Sequence, residues 1–170
     1  MTRGRLGKKR IDLKGGEFFT IPLDDSSFGL GQFAKDKKKS LDSCICVFYS
    51  NTFTEKPDSN KLSTTELEPI AVLLVTRENL VSGRWNIICE GNVKKLRKGF
   101  LFRGSAYSKL RKLERLKTTV GIKIYGAGNI RNLLNAYHGQ KPWTMMKNPT
   151  YFDDLLLPGC IGPLKKYTAT

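Results

Sequence analysis

The spacing of apolar and polar positions divides the 170-residue chain into a strand-rich first half and a helix-bearing second half. Residues 16–23 (GEFFTIPL) alternate and hold Phe, Ile and Thr, which predicts a strand. Asp24, Asp25, Ser26 and Ser27 supply turn chemistry, and residues 27–35 return as the second strand of a hairpin. Gly29 and Gly31 in that return strand predict a bulge or a sharp bend. A charged turn over 35–40 leads into a third strand, 43–50, and the polar stretch 51–65 has no period and reads as a loop. Residues 69–76 (PIAVLLVT) are an unbroken apolar run, the mark of a buried strand. A short helical turn over 77–82, stopped by Gly83, and a fifth strand over 84–93 follow.

Residues 99–105 read as a short extended piece. In 105–118 (SAYSKLRKLERLKT), Leu110, Leu113 and Leu116 recur at three-residue steps among Lys109, Arg111, Lys112, Arg115 and Lys117. This spacing fits a helix or an exposed basic turn structure. Residues 118–126 are β-branched and predict a strand. Residues 129–139 give the clearest helix, with Asn129 as N-cap, Ile130, Leu133, Leu134 and Tyr137 on one face, and Gly139 at the stop. The tail from Lys141 carries Pro142, Pro149, Pro158, Gly159 and Gly162 and should wrap irregularly on the body. The predicted class is α+β: a strongly bent, mostly antiparallel, barrel-like sheet of about six strands with one or two helices in the second half. Residues 1–14 read as a flexible basic arm, and 15–170 as a single globular domain without repeat or linker.

Composition adds boundaries. No segment approaches the ~18 continuous apolar residues of a membrane span. The basic N-terminus is not followed by the apolar stretch of a secretory signal, so the expected location is the cytoplasm. Cys44, Cys46, Cys89 and Cys160 are too few for a disulfide scaffold. Cys44 and Cys46, two apart on a strand, should share a face. With Cys89 and His138 they could be assembled into a zinc set, but no second short-spaced ligand pair and no CxxC spacing supports one. Buried thiols are the better reading, and no cofactor is expected.

The net charge of +15 is unevenly placed. Residues 1–16 carry six bases against one acid, 17–93 eight against eleven, 94–125 eleven against one, and 126–170 five against two. Such segregation favours an acidic partner surface, a polyphosphate or nucleic acid, against the plainer alternative of a solvated charged face.

Catalytic chemistry is thinly represented. His138, the one histidine, ends the clearest helix, where a cation complements the dipole. The pairs Asp24-Asp25 and Asp153-Asp154 sit in turn contexts and read as turn and cap formers. Residues 125–131 (YGAGNIR) suggest a phosphate loop, but Arg131 occupies the third glycine position and no Walker lysine follows, so a strand-to-helix connection explains them better. The chain is expected not to be an enzyme. The strongest chemical feature is the basic block Lys94, Lys95, Arg97, Lys98, Arg103, Lys109, Arg111, Lys112, Arg115 and Lys117, interleaved with Phe100, Phe102 and Tyr107. No helix-turn-helix, zinc-finger or RNA-recognition signature accompanies it.

Two segments together carry a family resemblance. Residues 16–32 (GEFFTIPLDDSSFGLGQ) run from a Gly-acid start through an apolar-Pro-Leu strand end and an acidic turn to a Gly-x-Gly return. Residues 69–89 (PIAVLLVTRENLVSGRWNIIC) place a buried strand ahead of a Leu-x-Ser-Gly-Arg-Trp strand start. In order and separation the pair resembles the Imm26 group of immunity proteins from bacterial polymorphic toxin systems. The resemblance implies a protein that binds a cognate toxin and blocks its active site or substrate access without catalysis. Such binding needs an interface of roughly 1,600 Å² anchored by a few Trp, Tyr or Arg side chains. Arg84, Trp85, Tyr137 and Trp143 are the candidate anchors, with core packing the competing role, above all for Trp85. The charge points to a toxin with an acidic surface. The alternative function is nucleic-acid binding through 94–117, with Lys109, Arg111, Lys112 and Arg115 as the polyanion-binding set. The basic block after Val93 lies outside the two matching segments.

Overall fold

The computed structural model describes residues 11–36, 42–89, 104–117, 121–145 and 147–163. Strands β1 (Phe18–Pro22) and β2 (Phe28–Asp36) form the expected hairpin around the Asp24–Asp25 turn. β3 (Ser43–Phe53) pairs with β2, and β4 (Pro69–Thr76) pairs with β3. β5 (Asn86–Cys89) returns to the far side of β1, giving one antiparallel sheet in the order β4-β3-β2-β1-β5. Helix α1 (Ser59–Thr64) links β3 to β4, and α2 (Glu78–Val81) links β4 to β5. Helices α3 (Ser105–Arg115) and α4 (Ala127–Tyr137) follow, then a 3-10 turn at Asp153–Leu155.

Both faces of the sheet are covered, which is why β3 and β4 are near-continuous apolar runs. One face presents Phe19, Ile21, Phe33, Cys44, Cys46, Phe48 and Leu73 to Trp85, to the α4 residues Ile130, Leu133, Leu134 and Tyr137, and to Phe152 and Leu155. The other presents Phe18, Leu30, Ile45, Val47, Tyr49 and Val72 to Leu62 of α1, Ala106 and Leu110 of α3, and Leu157. Each large apolar side chain buried this way contributes about 1.5–3 kcal/mol of transfer free energy. Tyr49 reaches a polar partner inside its layer: its hydroxyl donates to Gln32 Oε1 at 2.5 Å, while Gln32 Nε2 donates to the Gly16 carbonyl at 2.8 Å.

Gly31 faces Phe19 across the hairpin, and a Cβ there would lie 2.3 Å from the Phe19 ring. Its bare backbone lets Phe19 lie close, and the Phe19 ring also stacks parallel on Trp85 at 4.9 Å. The register shifts between Gly29 and Gly31, the irregularity that the two glycines predicted. Where residues 11–17 approach the sheet, the buried Glu17 carboxylate accepts backbone N–H bonds from Lys14 and Gly15 at 2.7 and 2.8 Å. Gly15 and Gly16 take φ of 100° and 102° there, a conformation only glycine adopts without strain. Leu13 and Ile11 pack against the core at this end.

The outer edge of β4 is held by two later segments. The Leu157 N–H donates to the Ile70 carbonyl at 2.8 Å; Tyr125 accepts from Thr76 N–H at 3.1 Å and donates to the Leu74 carbonyl at 2.9 Å.

Several expectations change. Among the described residues the sheet has five strands and is open, with β4 and β5 at its edges, so no barrel forms. Of the sixth strand expected over 118–126, residues 118–120 lie outside the described residues, and 121–126 show a single parallel bridge between Tyr125 and Val75. The polar stretch 51–65 is no plain loop: β3 continues to Phe53, and Asp58 caps α1 by accepting from the Lys61 N–H at 2.7 Å. α4 begins at Ala127 behind Gly126, so Asn129 lies inside the helix and does not cap it; Gly139 (φ 73°) does end it. Residues 1–10 of the basic arm, most of the charged turn after Asp36, and residues 90–103 fall outside the described residues.

Candidate partner-binding surface

The helix α3 settles the ambiguity of residues 105–118 through its buried side. Ala106 and Leu110, four apart, pack on β3 and β4, so Tyr107 and Ser108 between them face outward. No acid sits in its first turn, and Lys112 and Arg115 lie in its last, the arrangement that complements the helix dipole. Tyr107 (48 % exposed), Ser108, Arg111, Lys112, Arg115 and Leu116 line an open groove of about 580 Å³ on the outer side. Glu114 is the only acid on the helix, and it ion-pairs with Arg111 at 3.1 Å. Among the described residues no carboxylate lies within ion-pair distance of Lys112 or Arg115.

Lys109 is separated from the other three. It points toward the β4 edge, lining a smaller hollow of about 300 Å³ with Leu113, Lys123, Tyr125 and Asp154 among others. Burial pushes its ammonium below the ordinary lysine range, and the neighbouring Lys112 cation adds to the effect. The sequence set Lys109, Arg111, Lys112 and Arg115 is therefore split, three residues in one groove and one in another. Tyr107 and Ser108 join the three because they sit one turn earlier on the same face.

The four proposed anchors do not form one exposed cluster. Trp85 (2 % exposed) stacks on Phe19 and meets Phe48 edge-on at 6.0 Å. Arg84, beside it, is exposed. Tyr137, the last residue of α4, is buried, while the half-buried Trp143 packs against it at 6.2 Å and donates its Nε1–H to Asp153 at 2.8 Å. The residues with side chains at the surface are thus Arg84 and Trp143.

The acidic pairs have structural partners. Asp24 bonds Arg131 at 2.7 Å and Lys141 at 3.1 Å, and the Lys141 hydrogen bond, with the charge of Arg131, holds its carboxyl below the usual range. Its backbone N–H donates to Asn135 Oδ1 at 3.0 Å, which ties the β1–β2 turn to α4. Asp25 accepts from the Ser27 hydroxyl, which lowers its carboxyl pKa too. Arg131, at the third position of the glycine loop, serves this turn. His138 caps α4 and meets the Tyr137 ring edge-on at 5.5 Å. Cys44 and Cys46 share a face as expected, buried with their sulfurs 3.8 Å apart. Among the described residues no three His, Cys, Asp or Glu side chains converge as metal ligands, and no helix is long and apolar enough to cross a membrane.

No curated protein and no solved structure matches the chain. The family model of immunity protein 26 matches residues 14–112. That span runs from the Glu17 anchor through all five strands and into α3, well past the segments that carried the resemblance. It also takes in the basic block as far as Lys112, so most of that block lies within the matched span. By this match over more than half of its length, the chain belongs to the Imm26 family of immunity proteins.

Proposed function

We propose that this protein neutralises a cognate bacterial toxin of a polymorphic toxin system by binding it, with no catalysis of its own. The observation that carries this reading is the Imm26 match over residues 14–112. Binding would cover the toxin's active site or its substrate path, in the cytoplasm of the cell that makes it. A stable complex of this kind buries roughly 1,600 Å² in total. The charge of +15 favours a toxin that presents an acidic face, because complementary fields speed encounter and penalise wrong partners. Arg84 and Trp143 are surface anchors on this reading, with Trp85 and Tyr137 supporting them from the core. The test is growth on co-expression with the product of the neighbouring open reading frame. Rescue is expected; a neighbour that is harmless, or that still kills, would sink the proposal.

A second reading, nucleic-acid binding through residues 94–117, draws on the cations and Tyr107 of the α3 groove. It requires affinity for DNA or RNA that survives ~150 mM salt, since binding lost at that salt is counterion-driven adhesion.

A further inference from the structure

We infer that the α3 groove is the docking surface for an acidic segment of a partner protein, its Asp or Glu side chains pairing with Arg111, Lys112 and Arg115. This rests on the toxin-binding reading and places its main contact at α3, which packs on the sheet face opposite Trp85 and Trp143, and not at Arg84 and Trp143. The groove has cationic walls without matching anions: Glu114 serves Arg111, and Lys112 and Arg115 have no carboxylate partner among the described residues. The segments outside the described residues, 1–10, 37–41, 90–103, 118–120, 146 and 164–170, hold fifteen Lys or Arg side chains and one acid, Glu90, so they add cations to the chain's excess and an acidic partner complements it.

A protein source for the anion follows from the Imm26 membership. Arg111 and Arg115 are four apart on one helical face, so two planar guanidinium groups can each take a carboxylate in the two-bonded geometry that Arg favours, Arg111 by exchanging Glu114 for it. The exposed Tyr107 ring adds rigid apolar area next to the charges, the composition of an interface anchor. Lys109 extends the positive field toward the β4 edge. Its half-buried ammonium also lacks a carboxylate within ion-pair distance among the described residues.

The experiment uses the full chain and two readouts. A fluorescein-labelled decaglutamate peptide and a labelled 20-nucleotide single strand are titrated at 50 and 150 mM NaCl, followed by anisotropy. The wild type is compared with Arg111→Gln/Arg115→Gln, the single reversal Lys112→Glu, and the control Lys61→Gln on α1, all checked for an unchanged circular-dichroism melt. Peptide affinity should fall at least tenfold in the α3 variants and stay level in the control. An equal fall in the control means diffuse charge only and overturns the site. Oligonucleotide binding that survives 150 mM NaCl, exceeds peptide binding and falls in the same variants assigns the groove to nucleic acid and overturns the protein partner. In the growth assay, rescue by the wild type but not by the folded α3 variants supports the site. Rescue by all of them rejects the site and leaves toxin neutralisation standing. If the wild type does not rescue, toxin neutralisation itself fails, and the docking inference that rests on it falls with it.

Discussion

Replacing Gly31 by Ala should destabilise the protein, although the same change in an open strand would stabilise it. Gly31 is not in the left-handed region, so its backbone accepts an L residue. Ala would gain about 0.4–1 kcal/mol by restricting the unfolded chain. Against this, the new methyl would sit 2.3 and 2.4 Å from Phe19 Cε2 and Cζ. Phe19 is fully buried, stacked on Trp85 and edge-on to Phe48 at 6.2 Å, so its ring has little room to yield. Overpacking of this sort costs about 1–3 kcal/mol, and it wins. The net loss should be about 1–2 kcal/mol, or roughly 2–8 °C in Tm for a chain of this size. Gly29→Ala is the comparison, because its closest contact is one terminal methyl, Leu134 Cδ1 at 2.8 Å, which a side-chain rotation can move aside more easily than a ring, and its cost should be smaller. Urea unfolding of Gly31→Ala, Phe19→Leu and the double variant measures the coupling directly. The cost of Gly31→Ala should shrink by at least about 0.5 kcal/mol in the Phe19→Leu background. A Gly31→Ala protein as stable as the wild type, or strictly additive costs, would refute the account.

Asp24→Asn should lower stability at pH 7 by up to about 1 kcal/mol, kept small because its partners Arg131 and Lys141 are solvent-exposed. The Asp24 carboxyl is depressed in the folded state, so its contribution is present above its unfolded pKa of 3.8 and disappears as pH falls through the lower folded value. Melting curves of variant and wild type should therefore converge as pH falls well below 3.8; a gap that stays constant with falling pH contradicts the ion-pair account. For the thiols, burial pushes Cys46 far above the ordinary range, and Cys44 is equally enclosed. Native protein should titrate with at most two of its four thiols against Ellman's reagent, Cys89 and Cys160, and with all four in urea. Peptide mapping that finds Cys44 or Cys46 labelled rapidly in the native protein would reject that packing.

The hairpin, the buried β4 strand and the α4 face were legible because each couples one period to one environment. In α4, Ile130, Leu133, Leu134 and Tyr137 all reach the core they predicted. α1 was hidden because Leu62 is its only buried residue, and one apolar position has no period; the signal was the Asp58 cap. The start of α4 was misplaced because Asn129 has the chemistry of a cap, while the tertiary bonds of Tyr125 to β4 fix where the chain turns. Gly29 and Gly31 bring the irregularity they predict, but they make room for Phe19 and Leu134 without the sheet closing on itself. At the surface, charge marked α3, but only the packing of Ala106 and Leu110 decides which cations share a groove. Trp85 shows the limit of reading anchors from residue type, since the same ring serves a core equally well.

The clasp of Tyr125 and Leu157 along β4 has a further consequence for how the protein stays dispersed. β4 is eight residues, PIAVLLVT, with no charge, one Pro at its very start and strong β propensity, the profile of a segment that recruits copies of itself. Its outer edge is blunted by residues that lie beyond the family-matched span of 14–112. A fragment ending after α3 would keep all five strands yet leave this edge open, and it should form thioflavin-positive aggregates where the full chain does not.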